Sequence, residues 1–163
     1  MMRLGVVSDT HNNLRNVRQI VELFNAASVD HVIHTGDITQ PKTLEVFSDL
    51  LVPMSGVYGN NDMGELPRLE AASSELGFSF IEPPLWLEWS GRKIVVVHDP
   101  LDLSSLDLSN VELTLHGHTH MQTISDGPGG LTFNPGECAG MLKGHNSVGV
   151  VELESLKPEI LTF

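Results

Sequence analysis

Apolar runs alternate with segments of helical periodicity across the first half of the chain, and this alternation restricts the fold more than any other feature. Strand-like runs at 3–8, 31–35 and 53–58 each precede a segment in which apolar residues recur every three or four positions. Successive strands that are separated by helices pair in parallel, because the helix carries the chain back across the sheet. The pattern therefore predicts a parallel α/β sheet for the first half.

Three helices are expected between and after these strands. Asn12 and Asn13 can cap the first helix, because a side-chain oxygen of either residue can accept from a free backbone N–H. Pro41 begins the second helix, whose apolar face is predicted to continue to Leu51. The third helix covers 66–76, and Gly77 is a suitable residue to end it.

The second half of the chain changes to pairs of strand-like runs joined by turn residues. Ser90-Gly91 supplies one hairpin turn, and Pro158 indicates that the last strand lies at a sheet edge. The runs are 85–89, 92–97, 112–116, 121–126, 131–134, 147–153 and 156–162. The prediction is an α/β fold of four layers, an α/β/β/α sandwich, with two mixed sheets packed face to face and helices outside. This sandwich is expected to form a single domain over residues 1–163.

Charge and composition argue against several classes of function. Nine Lys and Arg residues against 21 Asp and Glu residues give a net charge of −12, which disfavours nucleic-acid binding because a phosphate backbone needs a basic surface. No apolar run approaches the roughly 20 residues of a membrane span, so no membrane partner is expected. The single cysteine, Cys138, excludes disulfides within the chain, and the N-terminus does not resemble a signal peptide. These observations favour a cytoplasmic protein.

Polar side chains follow five of the apolar runs at the point where each run ends. They are Asp9, His11, Asp37, Asn60, Asn61, Asp62, His98, His118 and His120. Ligands of open α/β sheets bind outside the carboxyl ends of strands, so we expect these loops to converge on one crevice. Asp62 is expected to organise a turn rather than to bind a ligand directly.

These residue types indicate a metal centre. Imidazole and carboxylate groups suit Zn²⁺, Mn²⁺ and Fe²⁺, whereas Mg²⁺ and Ca²⁺ prefer shells made only of oxygen. Taken alone, the Asp-x-His pair occurs often by chance, and Gly36-Asp37 is more typical of a turn. Taken together, six strong candidates and one asparagine are more ligands than one ion requires. Two ions are therefore expected, with Asp37 as the residue that bridges them. Bound metal would also give this acidic protein the positive charge that a phosphate requires.

The ordered set of motifs resembles that of the calcineurin-like metallophosphoesterases, and most closely their small, single-domain phosphodiesterase branch. The segments that carry the resemblance are Ser8-Asp9-Thr10-His11, Thr35-Gly36-Asp37, Gly59-Asn60-Asn61-Asp62, Val97-His98, Gly117-His118-Thr119-His120 and Asn134-Pro135-Gly136. The resemblance implies the same α/β/β/α sandwich and a site for two divalent metals. One metal would be held by Asp9, His11, Asp37 and His120, and the other by Asp37, Asn60, His98 and His118.

The resemblance also implies an activity. The chain is expected to be a phosphodiesterase rather than a monoesterase, acting on small organic phosphate esters or nucleotides. A hydroxide that bridges the two ions, Mn²⁺ by preference or else Zn²⁺, Fe²⁺ or Ni²⁺, would attack phosphorus in line with the leaving oxygen. Asn61, His118 and Asp37 are the expected catalytic residues.

Three positions depart from the family pattern. Asn61 stands where many members have His and the small-phosphodiesterase branch often has Cys, and an amide cannot protonate a leaving group. Asp99 replaces a usual Gly and could orient His98, support another ligand or repel an anionic substrate. Glu137 replaces a common Ser.

Other interpretations stay open at this point. The same fold serves as a protein-interaction scaffold in protein-sorting subunits of the family, and loss of ligands would mark that use. A nuclease is a third option, and the sequence leaves a homo-oligomer possible. Of the remaining histidines, His34 is expected to be packed and hydrogen-bonded, whereas His31 and His145 are expected to be solvated.

Overall fold

The structure, a computed structural model, describes residues 1–141 and 144–163, and two β-sheets and three α-helices account for most of them. The strands are β1 (Arg3–Val7), β2 (His31–His34), β3 (Met54–Val57), β4 (Ser79–Ile81), β5 (Leu85–Trp89), β6 (Arg92–Val96), β7 (Leu113–Leu115), β8 (Thr123–Gly127), β9 (Gly130–Asn134), β10 (Ser147–Glu152) and β11 (Lys157–Thr162). The helices are α1 (Leu14–Ala27), α2 (Pro41–Phe47) and α3 (Leu66–Leu76), and 3₁₀ helices cover Asn60–Glu65 and Pro100–Ser105.

The first sheet has the strand order β11-β10-β1-β2-β3-β4. Strands β1, β2 and β3 pair in parallel as predicted, β4 extends this parallel part, and β10 and β11 add an antiparallel margin. Pro158 lies in β11 at the edge of this sheet, where its missing N–H costs no ladder hydrogen bond. Strand β4 was not predicted, because its three residues are largely exposed and show no apolar alternation.

The three helices cover the outer face of the first sheet. Apolar side chains of α1, α2 and α3 pack with those of β1, β2 and β3 into one buried core. The side chain of Asn13 accepts a hydrogen bond from the Asn16 N–H at the start of α1, and Gly77 ends α3 with a φ of +74°. Both predicted helix ends are therefore confirmed.

The predicted extent of α2 is wrong at its C-terminal end. The helix ends at Phe47, and Leu51 is 82 % exposed instead of facing the core. The cause is a long-range contact, since Asn25 of α1 donates to the Asp49 carbonyl and accepts from the Leu51 N–H. These two hydrogen bonds satisfy the backbone after α2 in an irregular conformation.

The second sheet has the order β5-β6-β7-β9-β8 and is also mixed. A second core lies between the sheets, where Leu4, Val6 and Ile33 of the first meet Ile94 and Phe133 of the second. The 3₁₀ helix Pro100–Ser105 and the loop after it cover the far side of the second sheet. The predicted pair of mixed sheets packed face to face is confirmed, with 3₁₀ structure forming the fourth layer. No helix among the described residues has both the length and the apolar character that crossing a membrane requires.

The core between the sheets predicts a stability difference between two identical substitutions. Leu4 has no exposed surface, so Leu4→Ala should lower the free energy of unfolding by about 2–5 kcal/mol through lost burial and a residual cavity. Leu51→Ala removes the same atoms from an exposed position and should change stability by no more than about 0.5 kcal/mol. Urea unfolding of both variants measures this, and equal losses would contradict the packing described.

Candidate metal centre

The carboxyl ends of β1, β2, β3, β6 and β7 meet at one edge of the sandwich, and the loops that follow them are tied to one another. The Asp9 N–H donates to the Gly36 carbonyl at 3.0 Å, and the Gly117 N–H donates to the His98 carbonyl at 3.0 Å. The bond from Asp9 joins two loops that follow strands of the first sheet. The bond from Gly117 joins two loops that follow strands of the second sheet. All seven predicted ligands lie at this edge.

A first group of ligand atoms comes from Asp9, His11 and His120, and these atoms lie within 4.8 Å of one another. Oδ2 of Asp9 is occupied, because it accepts from the Ser8 hydroxyl at 2.5 Å and from the His118 N–H at 3.0 Å. Oδ1 of Asp9 has no hydrogen-bond partner and lies 3.4 Å from Nε2 of His120. Nε2 of His11 is likewise buried without a partner.

Orphaned buried polar atoms cost free energy unless another group satisfies them. A carboxylate oxygen and an imidazole nitrogen that face the same space are typical first ligands of a divalent cation. The unsatisfied atoms of Asp9 and His11 therefore fit a metal ion.

A second group of ligand atoms converges from Asn60, His98 and His118. Oδ1 of Asn60 lies 2.9 Å from Nε2 of His98 and 3.1 Å from Nδ1 of His118, and the two nitrogens are 3.2 Å apart. Nδ1 of His98 faces the Thr35 carbonyl at 2.9 Å, which can only accept, so Nε2 presents its lone pair to the group. Ligands on bonds of about 2.1 Å lie about 3.0 Å apart when the bonds are perpendicular. The observed separations fit a second ion.

Asp37 lies between the two groups. Its Oδ2 is 3.7 Å from Nε2 of His11, and its Oδ1 is 3.4 Å from Nε2 of His98. Asn61 donates to both oxygens, from its backbone N–H at 3.0 Å and from its side-chain amide at 2.8 Å. Burial by itself would raise the pKa of Asp37, but His98 and the two bonds from Asn61 hold it well below its usual range. The carboxylate stays ionised with an oxygen facing each group.

Buried polar residues outside the two groups hold these loops in place. Asp62 accepts from the backbone N–H groups of Gly59, Asp37 and Thr39, which confirms the turn role predicted for it. His34 is packed and hydrogen-bonded as predicted, between the Thr10 hydroxyl and the Gly36 N–H. Burial lowers its pKa to about 3, so it serves as a neutral hydrogen-bonding group.

Sequence reasoning missed Ser8, Asn134 and the Thr35 carbonyl as supports of the site. Ser8 orients Asp9, and Asn134 donates to the Gly117 carbonyl and to the Thr119 hydroxyl. Ser8, Thr35 and Asn134 all stand inside the motif segments, and their positions beside the ligands were the available signal.

Strained backbone is concentrated at the ligands. Five of the seven predicted ligands have a positive φ, between +46° and +69°, and they are Asp9, His11, Asp37, His118 and His120. Side chains other than glycine rarely adopt this region, so each such residue costs of order 1–3 kcal/mol and persists only where the surroundings enforce it. The left-handed backbone turns successive ligands toward the same space.

The remaining sequence predictions have mixed outcomes. His31 is not solvated as predicted, because its ring packs 4.6 Å from that of Trp89 and its Nε2 lies 2.9 Å from the Ser55 hydroxyl. His145 is exposed, as expected. Asp99 does not contact the outer nitrogen of His98, which the Thr35 carbonyl occupies, and lies instead against His118. Glu137 is buried, and its Oε2 accepts from the Ala139 N–H at 2.6 Å.

Two cavities flank the ligand groups. One of 330 Å³ opens on Asn60 and His98 and also has Glu82, Asp99 and Asp102 in its wall. The other, of 280 Å³, opens on His120 and reaches His145 and Ser147. A larger cavity of 670 Å³ lies by the loop 103–110 on the far side of the second sheet, and none of the predicted ligands lines it.

Close packing at Gly117 gives a test of the site's geometry. A Cβ at this position would collide with the Ser8 hydroxyl and lie 2.7 Å from Oδ2 of Asp9, so Gly117→Ala should displace Asp9 and weaken metal binding by at least tenfold. At Gly64 nothing lies within 4 Å of an added Cβ, and Gly64→Ala should bind metal as the unaltered protein does. Titration with Mn²⁺ compares the two variants, and equal affinities would contradict the contact.

A family model described as the calcineurin-like phosphoesterase superfamily domain matches residues 2–156. The phosphodiesterase MJ0936 of Methanocaldococcus jannaschii is 30 % identical over 158 residues, which cover 94 % of each chain. The solved structure of an archaeal phosphodiesterase matches with a TM-score of 0.90 and 28 % identity, over 99 % of this chain and 100 % of that one. YfcE, a phosphoesterase from E. coli, matches in fold with a TM-score of 0.72, at 21 % identity over 98 % of each chain.

Proposed function

The chain belongs to the calcineurin-like phosphoesterase superfamily, and from that membership and the geometry of the site we propose that it is a phosphodiesterase that uses two divalent metal ions. The observation that carries the proposal is the pair of orphaned buried atoms, Oδ1 of Asp9 and Nε2 of His11, beside a second convergent ligand group. In this assignment one ion is held by Asp9, His11, Asp37 and His120, and the other by Asp37, Asn60, His98 and His118.

Two divalent cations held by these residues would lower the pKa of a bound water and offset charge on the phosphoryl oxygens. The side chains of the protein position the metal ligands and the substrate. Asp37, kept ionised, offers one oxygen to each group. The side-chain amide of Asn61 donates one hydrogen to Asp37. Its second hydrogen can be donated to a phosphoryl oxygen. His118 would complete the ligand set of the second ion, beside Asn60 and His98.

The surroundings of the site favour a diester over a monoester. Glu82, Asp99 and Asp102 line the cavity beside the second group, and the whole chain carries a net charge of −12. A phosphodiester has one negative charge and a phosphomonoester has nearly two at neutral pH, so the acidic wall repels the monoester more strongly. The cavities on either side of the ligands, of 330 and 280 Å³, provide space for the two arms of a small diester. We propose small organic phosphodiesters or nucleotides as substrates, with Mn²⁺ as the preferred metal and the cytoplasm as the compartment.

Hydrolysis of a bis-aryl phosphodiester in the presence of Mn²⁺ tests the proposal. The unaltered protein should hydrolyse it, chelation should abolish the activity, and Asp37→Asn should lower kcat by about a hundredfold or more because the bridge loses its charge. Asp126→Asn is the matched control, since Asp126 lies exposed on β8 and should leave kcat unchanged. Stoichiometric Mn²⁺ binding with no hydrolysis of any phosphate ester would reject the enzyme and favour the interaction scaffold.

Asn61 predicts a steep dependence on the leaving group. Because an amide cannot protonate the departing oxygen, aryl phosphodiesters should be hydrolysed much faster than alkyl phosphodiesters. Asn61→His introduces a group that can act as an acid at this position and should raise the alkyl rates relative to the aryl rates. A series of diesters of graded leaving-group pKa measures the slope, and a flat slope in the unaltered protein would contradict the role assigned to Asn61.

A further inference from the structure

The 3₁₀ helix Asn60–Glu65 carries an apolar side chain next to residues of the proposed site. It begins with Asn60 of the second ligand group, and Asn61 follows with its two hydrogen bonds to Asp37. Side chains three residues apart lie above one another in a 3₁₀ helix, because each turn contains three residues. Met63 therefore lies on the same face of the helix as Asn60, one turn farther along the chain.

Hydrogen bonds fix this helix relative to the ligands. The Asn61 N–H donates to Oδ1 of Asp37 at 3.0 Å. The buried carboxylate of Asp62 accepts from the Gly59 N–H at 2.7 Å and from the Asp37 N–H at 3.0 Å. The position of Met63 beside the ligand group is therefore set by these bonds, and a change of the Met63 side chain leaves all of them in place.

Met63 belongs to none of the hydrophobic cores that the described residues form. It is 43 % exposed, whereas Leu66 and Leu69 of the next helix pack into the core of the first sheet. Leu51 and Leu101 are more exposed still, but neither of them lines a cavity that flanks the ligands. Met63 thus differs from both leucines, because its apolar surface is unused by the fold and lies at the site.

The 330 Å³ cavity beside the second ligand group has Met63 and Pro83 in its wall. Tyr58 also lines this cavity, and its hydroxyl is engaged by the Ser73 hydroxyl at 3.3 Å. These three side chains are the source of hydrocarbon surface in the cavity. Burial of such surface against an apolar group is favourable, because it removes both from water.

The other side chains of the cavity wall favour a different property of the bound molecule. Glu82, Asp99 and Asp102 line the same cavity. An ionised carboxylate accepts hydrogen bonds and repels other anions, but it offers no apolar surface. Contact with the hydrocarbon part of a bound arm therefore falls to Met63 and Pro83, while the carboxylates exclude arms that carry further negative charge.

We propose that Met63 is a specificity-determining residue, which binds the hydrocarbon part of one arm of a phosphodiester and so favours diesters with aryl or other large apolar arms. This inference rests on the phosphodiesterase function proposed above and narrows the class of substrate. A methionine side chain has three rotatable bonds and a polarisable sulfur, so it adapts to arms of different shape. Met63 selects apolar character and not one particular outline.

Three variants separate an apolar contact from other effects. Met63→Gln keeps the length of the side chain and removes its apolar character, and Met63→Leu restores an apolar side chain. Leu101→Gln is the matched control, because Leu101 is exposed on the other 3₁₀ helix and lies outside the cavity wall. Since both positions are exposed, neither glutamine becomes a buried group without a partner, and thermal unfolding checks that all three variants are folded.

Calorimetric titration of the Mn²⁺-loaded protein with two symmetrical diesters tests the proposal. Dibenzyl phosphate carries a large apolar arm on either side of the phosphate, and dimethyl phosphate carries only methyl groups. The unaltered protein should bind dibenzyl phosphate more tightly, by about tenfold or more. Met63→Gln should weaken the binding of dibenzyl phosphate by about three- to tenfold and leave that of dimethyl phosphate unchanged. Met63→Leu and Leu101→Gln should bind both diesters as the unaltered protein does.

The outcomes separate this inference from the proposed function. An unaltered protein that does not prefer dibenzyl phosphate, or a Met63→Gln variant that keeps the full preference, would overturn the role of Met63 and leave the proposed function intact. An unaltered protein that hydrolyses no phosphodiester would overturn the proposed function. In that event the titrations, which measure binding and not hydrolysis, still decide whether Met63 selects apolar arms.

Discussion

The burial of two neighbouring carboxylates is the constraint on which the arrangement of the site depends. Asp9 and Asp37 are both almost completely buried in a protein that already has a large excess of negative charge. Burying a carboxylate costs free energy unless donors or cations surround it. For Asp9, burial raises the pKa despite the Ser8 hydrogen bond, whereas His98 and Asn61 keep Asp37 ionised. Under the proposed assignment, a pair of cations would complete the compensation that the protein donors begin.

The sandwich makes this arrangement possible because its rigid part lies directly behind the site. The core between the sheets fixes the strand ends, and backbone hydrogen bonds then fix the loops that follow them. Loops held in this way can keep Asp9, Asp37 and His118 in left-handed backbone conformations that isolated segments would abandon. Asp62 also holds these loops in place, because its buried carboxylate accepts hydrogen bonds from three backbone N–H groups. Strain at the ligands is thus balanced by packing and hydrogen bonds elsewhere.

The sequence predicts those features whose causes are local. Apolar runs that end in Asp or His mark both the strands and the convergence of the ligands, because parallel strands place their carboxyl ends at one edge. Features with long-range causes were missed. Asn25 shortens α2, Trp89 shields His31, and the partner of Asp99 depends on where a loop of the second sheet places His118. Strand β4 was missed because three largely exposed residues carry no periodic signal.

Charge links the metal centre to the choice of substrate. Among the described residues that line the two flanking cavities there is no Lys or Arg, so no permanently charged cationic side chain there attracts a phosphate, and bound metal ions would supply that charge. Under the proposed assignment, a site without metal repels the negatively charged substrate. Bound metal attracts the substrate, and the acidic residues of the cavity wall reduce this attraction. The metal ions are therefore expected to bind before the phosphate.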